Sequence, residues 1–440
     1  MVTEKRAEEC RRQTRWNLAA LTVDVVFYWV GAAFTDPLTV LLLLMHRLGA
    51  TETIIGLSIA LRLLAQYLPQ VFIAHRMHGK ARQKPMLVWV VGLARLPLLL
   101  LPFLLWNAAK SPDASRTAIT AIVIVLALVG LGEGLGAVPW TEIIARAFSD
   151  RTRGRFLTGT QITSGILNIL IAGFIVRPLL DLPGLPYPHD FAVLIGLSAL
   201  MFQLSTVGLL LIQEPPPPPD LEQHRPMPPL ASYFRLLPKM LHNDPIFARL
   251  VTIQILINAG WAASPYYVNY ATQRYRLGDH WAGTYQLLQA ISIAMLMPIW
   301  AYLSEKRSPA AAVRGVAFVC MLTPLAAITL GRLSPWYFGS VFLLMGGSLT
   351  AGGIWVVMNH FLLSHASDEE RPLFVGLLNL LNVPCALFIL LGSLLVRQDR
   401  FVEWYGVPVL PALLVPIIGI GFLLSLKLSL SVDASVHTGP

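Results

Sequence analysis

Residues 213–229 read QEPPPPPDLEQHRPMPP, with five consecutive prolines from Pro215 to Pro219 and three more at Pro226, Pro228 and Pro229. Proline fixes φ and has no backbone N–H to give to a helix or sheet, so such a run is held in extended polyproline II geometry. Two readings fit it: a recognition motif for a polyproline-binding domain, or a semi-rigid strap. The strap is the simpler, because residues 214–245 are the single long hydrophilic interruption in a chain that is 55% hydrophobic and 13% charged.

Six long apolar segments precede this strap and six follow it. A bilayer-crossing helix takes about 20 mostly apolar residues. That length is met near Asn17–His46, Thr53–Ala74, Pro85–Trp106, Thr117–Ala145, Phe156–Leu180 and Asp190–Ile212. It is met again near Ile246–Gln273, His280–Ser304, Pro309–Gly331, Pro335–Leu363, Leu373–Val396 and Val402–Leu428. Short connectors return each helix antiparallel to the last. The expected architecture is all-α and integral to a membrane, with twelve transmembrane helices in two pseudo-symmetric six-helix bundles. Its parts are an N-terminal segment at 1–16, a first bundle at 17–213, the linker at 214–245, a second bundle at 246–428 and a tail at 429–440. Arg11, Arg12 and Arg15 precede the first span as they would in a signal sequence. A signal core runs only about 7–15 residues, so an uncleaved first helix is expected.

The net charge of +9 invites a nucleic-acid reading, but its distribution argues otherwise. With the N-terminus inside, the inner segments hold 22 of the 33 lysines and arginines and the outer loops 9, while Arg62 and Arg95 fall within spans. That excess orients a membrane protein with both termini in the cytoplasm, and the basic charge meets anionic lipid. Cys10, Cys320 and Cys385 are too scattered for a disulfide framework or a metal site. No metal and no organic cofactor is expected.

The two sets of spans are related. His46-Arg47-Leu48-Gly49-Ala50 after the first span matches Tyr275-Arg276-Leu277-Gly278-Asp279 after the seventh, and Pro69 and Pro298 repeat the same offset of 229 residues. Phe156 to Gly159 and Leu373 to Gly376 open the fifth and eleventh spans. A duplicated six-helix unit, its copies related along the membrane normal, explains all three matches. In this organisation the chain resembles the major facilitator superfamily of membrane transporters. The loop after the second span carries the family's local motif in a degenerate form. Arg76 and the trailing Lys80 and Arg82 fit, but Val71 stands for the usual glycine and His75 for the usual aspartate. Its counterpart in the second half keeps an acid–base pair, Glu305 and Lys306. The resemblance implies a cytoplasmic gate built from Arg76, Glu142, Arg146, Arg155, Glu305 and Lys306; the competing reading is interfacial charge reaching to water.

Charges at membrane depth are costly, and each marks a functional candidate. Asp24, Asp36, Arg62, Arg95 and Glu133 all lie within the first four spans, and the second half has none as deep. Asp24 and Glu133 are candidate proton carriers, since an acid facing a half-dry cavity can load and release a proton. The resemblance puts their helices beside the central path. Fixed ion pairs, Glu133 with Arg62 or Arg95 and Asp24 with Arg95, are the alternative. His360, beside Asn359, is a third titratable candidate. Asp36 precedes Pro37 and faces an outer vestibule on this reading. Uncharged polar residues recur at three- and four-residue spacing, which keeps them on one helix face. These are Gln161, Ser164 and Asn168, then Gln254, Asn258 and Trp261, then Gln286 and Gln289, and finally Asn379 and Asn382. Lipid offers an amide no partner, so the stripes face either a solvated pathway or other helices. Tyr266, Tyr267 and Tyr270 are expected in an interfacial aromatic belt. The alternating Gly130, Gly132, Gly134 and Gly136 lack dinucleotide spacing and mark close helix packing.

The function this implies is secondary active transport of a small organic solute by alternating access, coupled to protons, with efflux favoured over import. The expected setting is the plasma or inner membrane, as a monomer whose partners are lipid, substrate and protons, and not nucleic acid. A lipid-modifying membrane enzyme is one alternative, but no H-E-x-x-H, G-x-S-x-G or histidine box occurs. A non-transporting sensor or assembly subunit on a carrier fold is the other, and would have a filled centre.

Overall fold

In a bilayer every backbone N–H and C=O must find its partner within the segment, which leaves helix as the solution for an apolar run. The computed structural model describes residues 2–77, 82–214, 241–242, 245–349, 382–396 and 409–437, without the side chains at 2–10, 71, 74–77, 150, 151, 154, 158, 161 and 428–437. Helices account for nearly all of it. The first half contains α1 (Val2–Phe34), α2 (Val40–Arg47), α3 (Glu52–Met77), α4 (Lys84–Arg95), α5 (Leu101–Ala108), α6 (Pro112–Ala147), α7 (Asp150–Ile171), α8 (Arg177–Leu179) and α9 (His189–Leu211). The second contains α10 (Pro245–Asn258), α11 (Tyr267–Tyr275), α12 (His280–Lys306), α13 (Pro309–Thr329), α14 (Pro335–Ser348), α15 (Val383–Val396) and α16 (Val409–His437). Among the described residues nine helical segments are long and apolar enough to cross a membrane. The tenth, eleventh and twelfth expected spans lie partly outside the described residues.

The first span is not one helix. α1 ends at Phe34 and α2 starts at Val40, because Pro37 supplies no N–H and its ring crowds the preceding turn. Asp36 holds the break together: its carboxylate accepts from the Leu38 amide at 3.0 Å and the Thr39 hydroxyl at 2.8 Å. The seventh span breaks in the same way, into short 3-10 turns at Ala259–Ala262 and Ser264–Tyr266 around Gly260 and Pro265. Pro37 and Pro265 are 228 residues apart, one short of the repeat offset. Both halves thus interrupt their first span at matching places.

The glycine run of α6 resolves into two i,i+4 pairs on different faces. A Cβ on Gly130 or Gly134 would collide with the backbone of α3, at Arg62 and at Gln66, whereas Gly132 and Gly136 abut Ala94 and Val91 of α4. Gly346 does for the second half what Gly130 does for the first, lying against the backbone of Gln289 as α14 crosses α12. Elsewhere α1 packs on α9 and α13 on α16. The halves meet chiefly through α3 with α15 and α7 with α12, and also where α2 meets α11 and α12. Glu214, where the linker begins, accepts from the amides of Gln83 and Lys84 at the start of α4, an acid on the positive end of a helix.

Tyr266 and Tyr267 do not form an interfacial belt. Each is 1% exposed, since the broken seventh span turns them inward; the Tyr266 hydroxyl donates to the Ile389 carbonyl of α15 at 3.2 Å. Tyr267 and Tyr270 pack against Phe338 of α14.

Two glycines test this packing. Gly134→Ala meets immovable backbone oxygens and is expected to cost about 1–3 kcal/mol, the range for overpacking. Gly136→Ala meets only the side-chain methyls of Val91 and Leu87 and should cost less. Thermal melts in detergent check the order, and equal losses would contradict it. Gly49 has φ +87°, where a side chain costs about 1–2 kcal/mol. Gly49→Ala should lower the melting temperature although nothing lies within 4 Å of its Cβ position.

Candidate functional site

Asp24 and Tyr28 sit one turn apart on α1 and face α6 and α9. Asp24 is 5% exposed. One carboxylate oxygen accepts from the Trp140 indole N–H at 3.0 Å and the other from the Ser205 hydroxyl at 2.6 Å. Ser205 in turn accepts from Arg95, whose Nη1 lies 2.9 Å from that hydroxyl, 3.1 Å from the Thr206 hydroxyl and 3.3 Å from the Phe202 carbonyl. Asp24 and Arg95 therefore compensate each other through a shared serine, without a direct ion pair. The Arg95 guanidinium lies over the rings of Tyr28 and Phe202, 5.6 and 5.3 Å from their centroids, a cation–π sandwich that helps hold a charge at this depth.

Glu133 forms the second unit. Arg62 of α3 donates to its Oε2 at 3.2 Å and the Tyr28 hydroxyl donates to its Oε1 at 2.9 Å. Tyr28 thus bridges the two units, bonding one acid by its hydroxyl and carrying the arginine of the other on its ring. A buried ion pair of this kind adds little net stability, but removing one partner leaves the other charge stranded, at about 3–5 kcal/mol.

Both acids face a cavity of about 550 Å³ lined by α1, α3, α4, α6, α7 and α9, within the range of small-molecule sites. Tyr28, Trp29 and Trp140 supply its aromatic walls, Gln66 and Thr160 its neutral polar groups, and Leu87, Val91 and Leu209 its aliphatic floor. Leu87, Trp140, Leu157 and Leu209 are close to the helix ends on the side of the two termini.

At the opposite end the halves are tied together. Arg47 pairs with Asp279, and the His46 ring nitrogen Nε2 lies 2.9 Å from the Gln273 amide nitrogen. Glu52 is 3.5 Å from Asn269, and Asp181 is 3.3 Å from His280. Deeper in the seam, Gln286 donates to the Ala33 carbonyl at 2.6 Å and to Asn168 at 3.1 Å. The matched loops of the internal repeat meet here, so that Arg47 of one copy binds the last residue of the other.

The remaining candidates scatter. Gln254 reaches Asn382 at 3.4 Å, and the Asn258 amide nitrogen beside it has no partner among the described residues. Gln289 is buried and Trp261 packs at the edge of the core. Asp36 serves the α1–α2 turn and does not line the cavity. His360 and Asn379 lie outside the described residues, as do the side chains of Arg76 and Gln161. Glu142 pairs with Arg146 one turn along α6, at 2.8 Å. Arg155, Glu305 and Lys306 are exposed. Among the described residues no cluster of His, Cys, Asp and Glu is placed to hold a metal ion. Sequence reasoning missed Tyr28, Trp140 and Ser205. The signal was spacing: Tyr28 is four residues from Asp24 and Trp140 seven from Glu133, each on the acid's own helix face.

The sequence pattern of the Major Facilitator Superfamily matches residues 25–390. Among solved structures, a POT family transporter in complex with 5-aminolevulinic acid superposes with a TM-score of 0.68 at 12% identity, over 93% of this chain and 96% of that one. A mutant of the nucleoside transporter NupG gives 0.67 at 10% identity, over 94% and 99%. A bacterial homologue of the iron transporter ferroportin, in its inward-facing state, gives 0.66 at 14% identity, over 94% and 98%. Among curated proteins nothing matches the chain by sequence. At such identities the likeness speaks for the fold, and the family match for the kind of protein. The chain belongs to the Major Facilitator Superfamily and is a multi-pass membrane transporter, not an enzyme.

Proposed function

We propose that this protein is a proton-coupled secondary carrier that moves a small organic solute across the cell membrane by alternating access, working as a monomer in the direction of efflux. The observation that carries the reading is the cavity of about 550 Å³, with two acids on its wall, on the side of the termini. Its counterpart is the polar seam at the far end. A solvated centre on one side and a closed seam on the other are what a carrier needs in its inward-open state, with both termini in the cytoplasm. A sensor on the same fold would have no use for the hollow centre.

The two acids take different roles in this proposal. Glu133 is spoken for by Arg62 and Tyr28 and acts as a fixed structural pair. Asp24 has only neutral donors in direct contact and carries the proton. Gln161, Asn168, Gln254, Asn258, Gln286, Gln289 and Asn382 are proposed to contact the substrate or to rearrange as the halves rock.

Four measurements test it. A melting screen against sugars, amino acids, nucleosides, organic acids and lipophilic cations, at pH 6 and pH 8, should find a ligand whose shift depends on pH. A ligand at 100 times its Kd adds about 2.7 kcal/mol. Asp24→Asn should remove the pH dependence; a hit independent of pH would end the proton role. In proteoliposomes an imposed proton gradient should drive that ligand in the direction opposite to the protons, and binding without movement would overturn transport. Glu133→Gln should destabilise the fold by several kcal/mol, and Asp24→Asn should destabilise it less. Asp279→Asn should loosen the outer seam. In a cysteine-free background Asn269→Cys, 2% exposed in the native chain, should then react several-fold faster with an impermeant maleimide.

A further inference from the structure

We infer that the outer seam is a proton-operated latch: His46 and His280, one from each half, take up protons from outside and hold that end of the molecule shut. It rests on the inside placement of the termini proposed above and goes beyond that reading, needing neither Asp24 nor a substrate. The two histidines flank the Arg47–Asp279 bridge in sequence, His46 beside Arg47 and His280 beside Asp279. Histidine is the side chain whose charge ordinarily changes between about pH 5 and 8. The bridge thus brings a fixed pair of charges to the seam, and its neighbours bring a variable one.

Each ring stands against an acid and against the opposite half. His46, on α2, has Nε2 2.9 Å from the Gln273 amide nitrogen of α11 and Nδ1 3.4 Å from Glu52 Oε1. Among the described residues Nδ1 makes no hydrogen bond, and neither does the second Glu52 oxygen. The Glu52 side chain is 18% exposed, and its other contact is a neutral amide, Asn269 at 3.5 Å. Among the described residues it is therefore a half-buried carboxylate without a counter-charge while His46 is neutral. A proton on His46 supplies that charge. Neutral His46 accepts from the Gln273 amide through Nε2, whereas the protonated ring donates from both nitrogens. Turning the Gln273 amide over presents its oxygen to the Nε2–H and leaves the Nδ1–H to Glu52. The bond to Gln273, which crosses between the halves, becomes charge-assisted and stronger.

His280 acts from the other side. As the first residue of α12 it lies 3.3 Å, Nδ1 to Oδ1, from Asp181 in the loop after α8. Its protonation makes that contact a second ion pair between the halves. The amino end of α12 opposes a positive charge there, while Asp181 and the adjoining Asp279 favour it. Asp190 of α9 and Tyr187 lie within electrostatic reach of the Arg47–Asp279 bridge. Arg177, Arg274 and Arg276 are exposed, where salt and water screen them, and His189 packs edge-on against Trp106. Each proton is held more tightly with the seam closed than with its groups in open water. By linkage, closure is favoured at low outside pH, and the gain is lost as pH rises through the histidine range. Acid outside thus keeps the carrier inward-open.

Distances between spin labels on the two halves test the latch directly. In a cysteine-free background, Lys110→Cys and Leu333→Cys carry the labels on exposed loops at the seam's end of the molecule. Double electron–electron resonance in proteoliposomes at pH 6 and pH 8 reads their separation. The ratio of long to short distances should rise several-fold from pH 6 to pH 8, a modest swing because half-exposed ion pairs are individually weak. His46→Gln together with His280→Gln should abolish the swing, and either change alone should reduce it. Asp24→Asn should leave it intact. Asp279→Asn, which removes the fixed bridge, should raise the ratio at both pH values and keep the swing. No swing in the native protein, or an undiminished one in the double histidine variant, overturns the latch. If the double variant fails to fold, an undiminished swing in both single variants overturns it instead. A swing lost in Asp24→Asn and kept without the histidines also overturns it, and supports the proton carrier. A swing that follows the histidines in a protein that moves no solute leaves the latch standing and sinks the carrier reading.

Discussion

An uncompensated charge cannot be left at membrane depth, and the first half of this protein is arranged around that constraint. Arg62 and Arg95 each bring a full charge to the middle of a span, and each is matched by an acid from another helix, Glu133 directly and Asp24 through Ser205. The matching sets the relative rotation of α1, α3, α4, α6 and α9, since a turn of any one would strand its charge. The glycines of α6 belong to the same solution. Arg62 can reach Glu133 only because Gly130 and Gly134 let α6 lie directly on the backbone of α3. A large residue there would push the pair apart and expose both charges to hydrocarbon.

Much of this was legible before any coordinates. Apolar length and the Pro215–Pro219 strap led to a helical membrane fold, because the physics of a bilayer leaves few alternatives. The buried charges were legible because they are rare and expensive. Their pairing was not: Glu133 could have met Arg62 or Arg95, and sequence spacing cannot choose between partners on two different helices. The breaks in the first and seventh spans were signalled by Pro37 and Pro265, yet hydropathy reads straight through them. Tyr266 and Tyr267 were misplaced for that reason. The 3-10 turns after Asn258 rotate the chain, so a position counted along an unbroken helix points the wrong way.

The seam between the halves was harder to read. Arg47 and Asp279 sit in loops whose likeness to each other was plain, but likeness between copies does not say that the copies touch. They touch because two units related by a rotation bring equivalent loops to the same axis. The repeat motif is not used identically: the first copy turns at Gly49, with φ +87° in the left-handed region, and the second at Arg276, with φ +53°. A residue with a side chain carries the turn in the second copy, where Asp279 must be brought round to Arg47.

The distribution of charge also makes the two halves unequal in the polar bonds they bury. The described part of the second half offers amides, Gln254, Asn258, Gln286 and Gln289, and no ion pair at comparable depth. Amides can exchange partners at little cost, since each interhelical bond is worth about 1 kcal/mol or less. An ion pair such as Arg62–Glu133 cannot part so cheaply. Under the alternating-access proposal, rigid electrostatics in one half and exchangeable bonds at the seam suit a structure that rocks between two states. Gln286 fits the second role, as it crosses from α12 to the Ala33 carbonyl of α1 and to Asn168 of α7. On that proposal the first half holds cavity and charge in place, and the second half is the part that lets go.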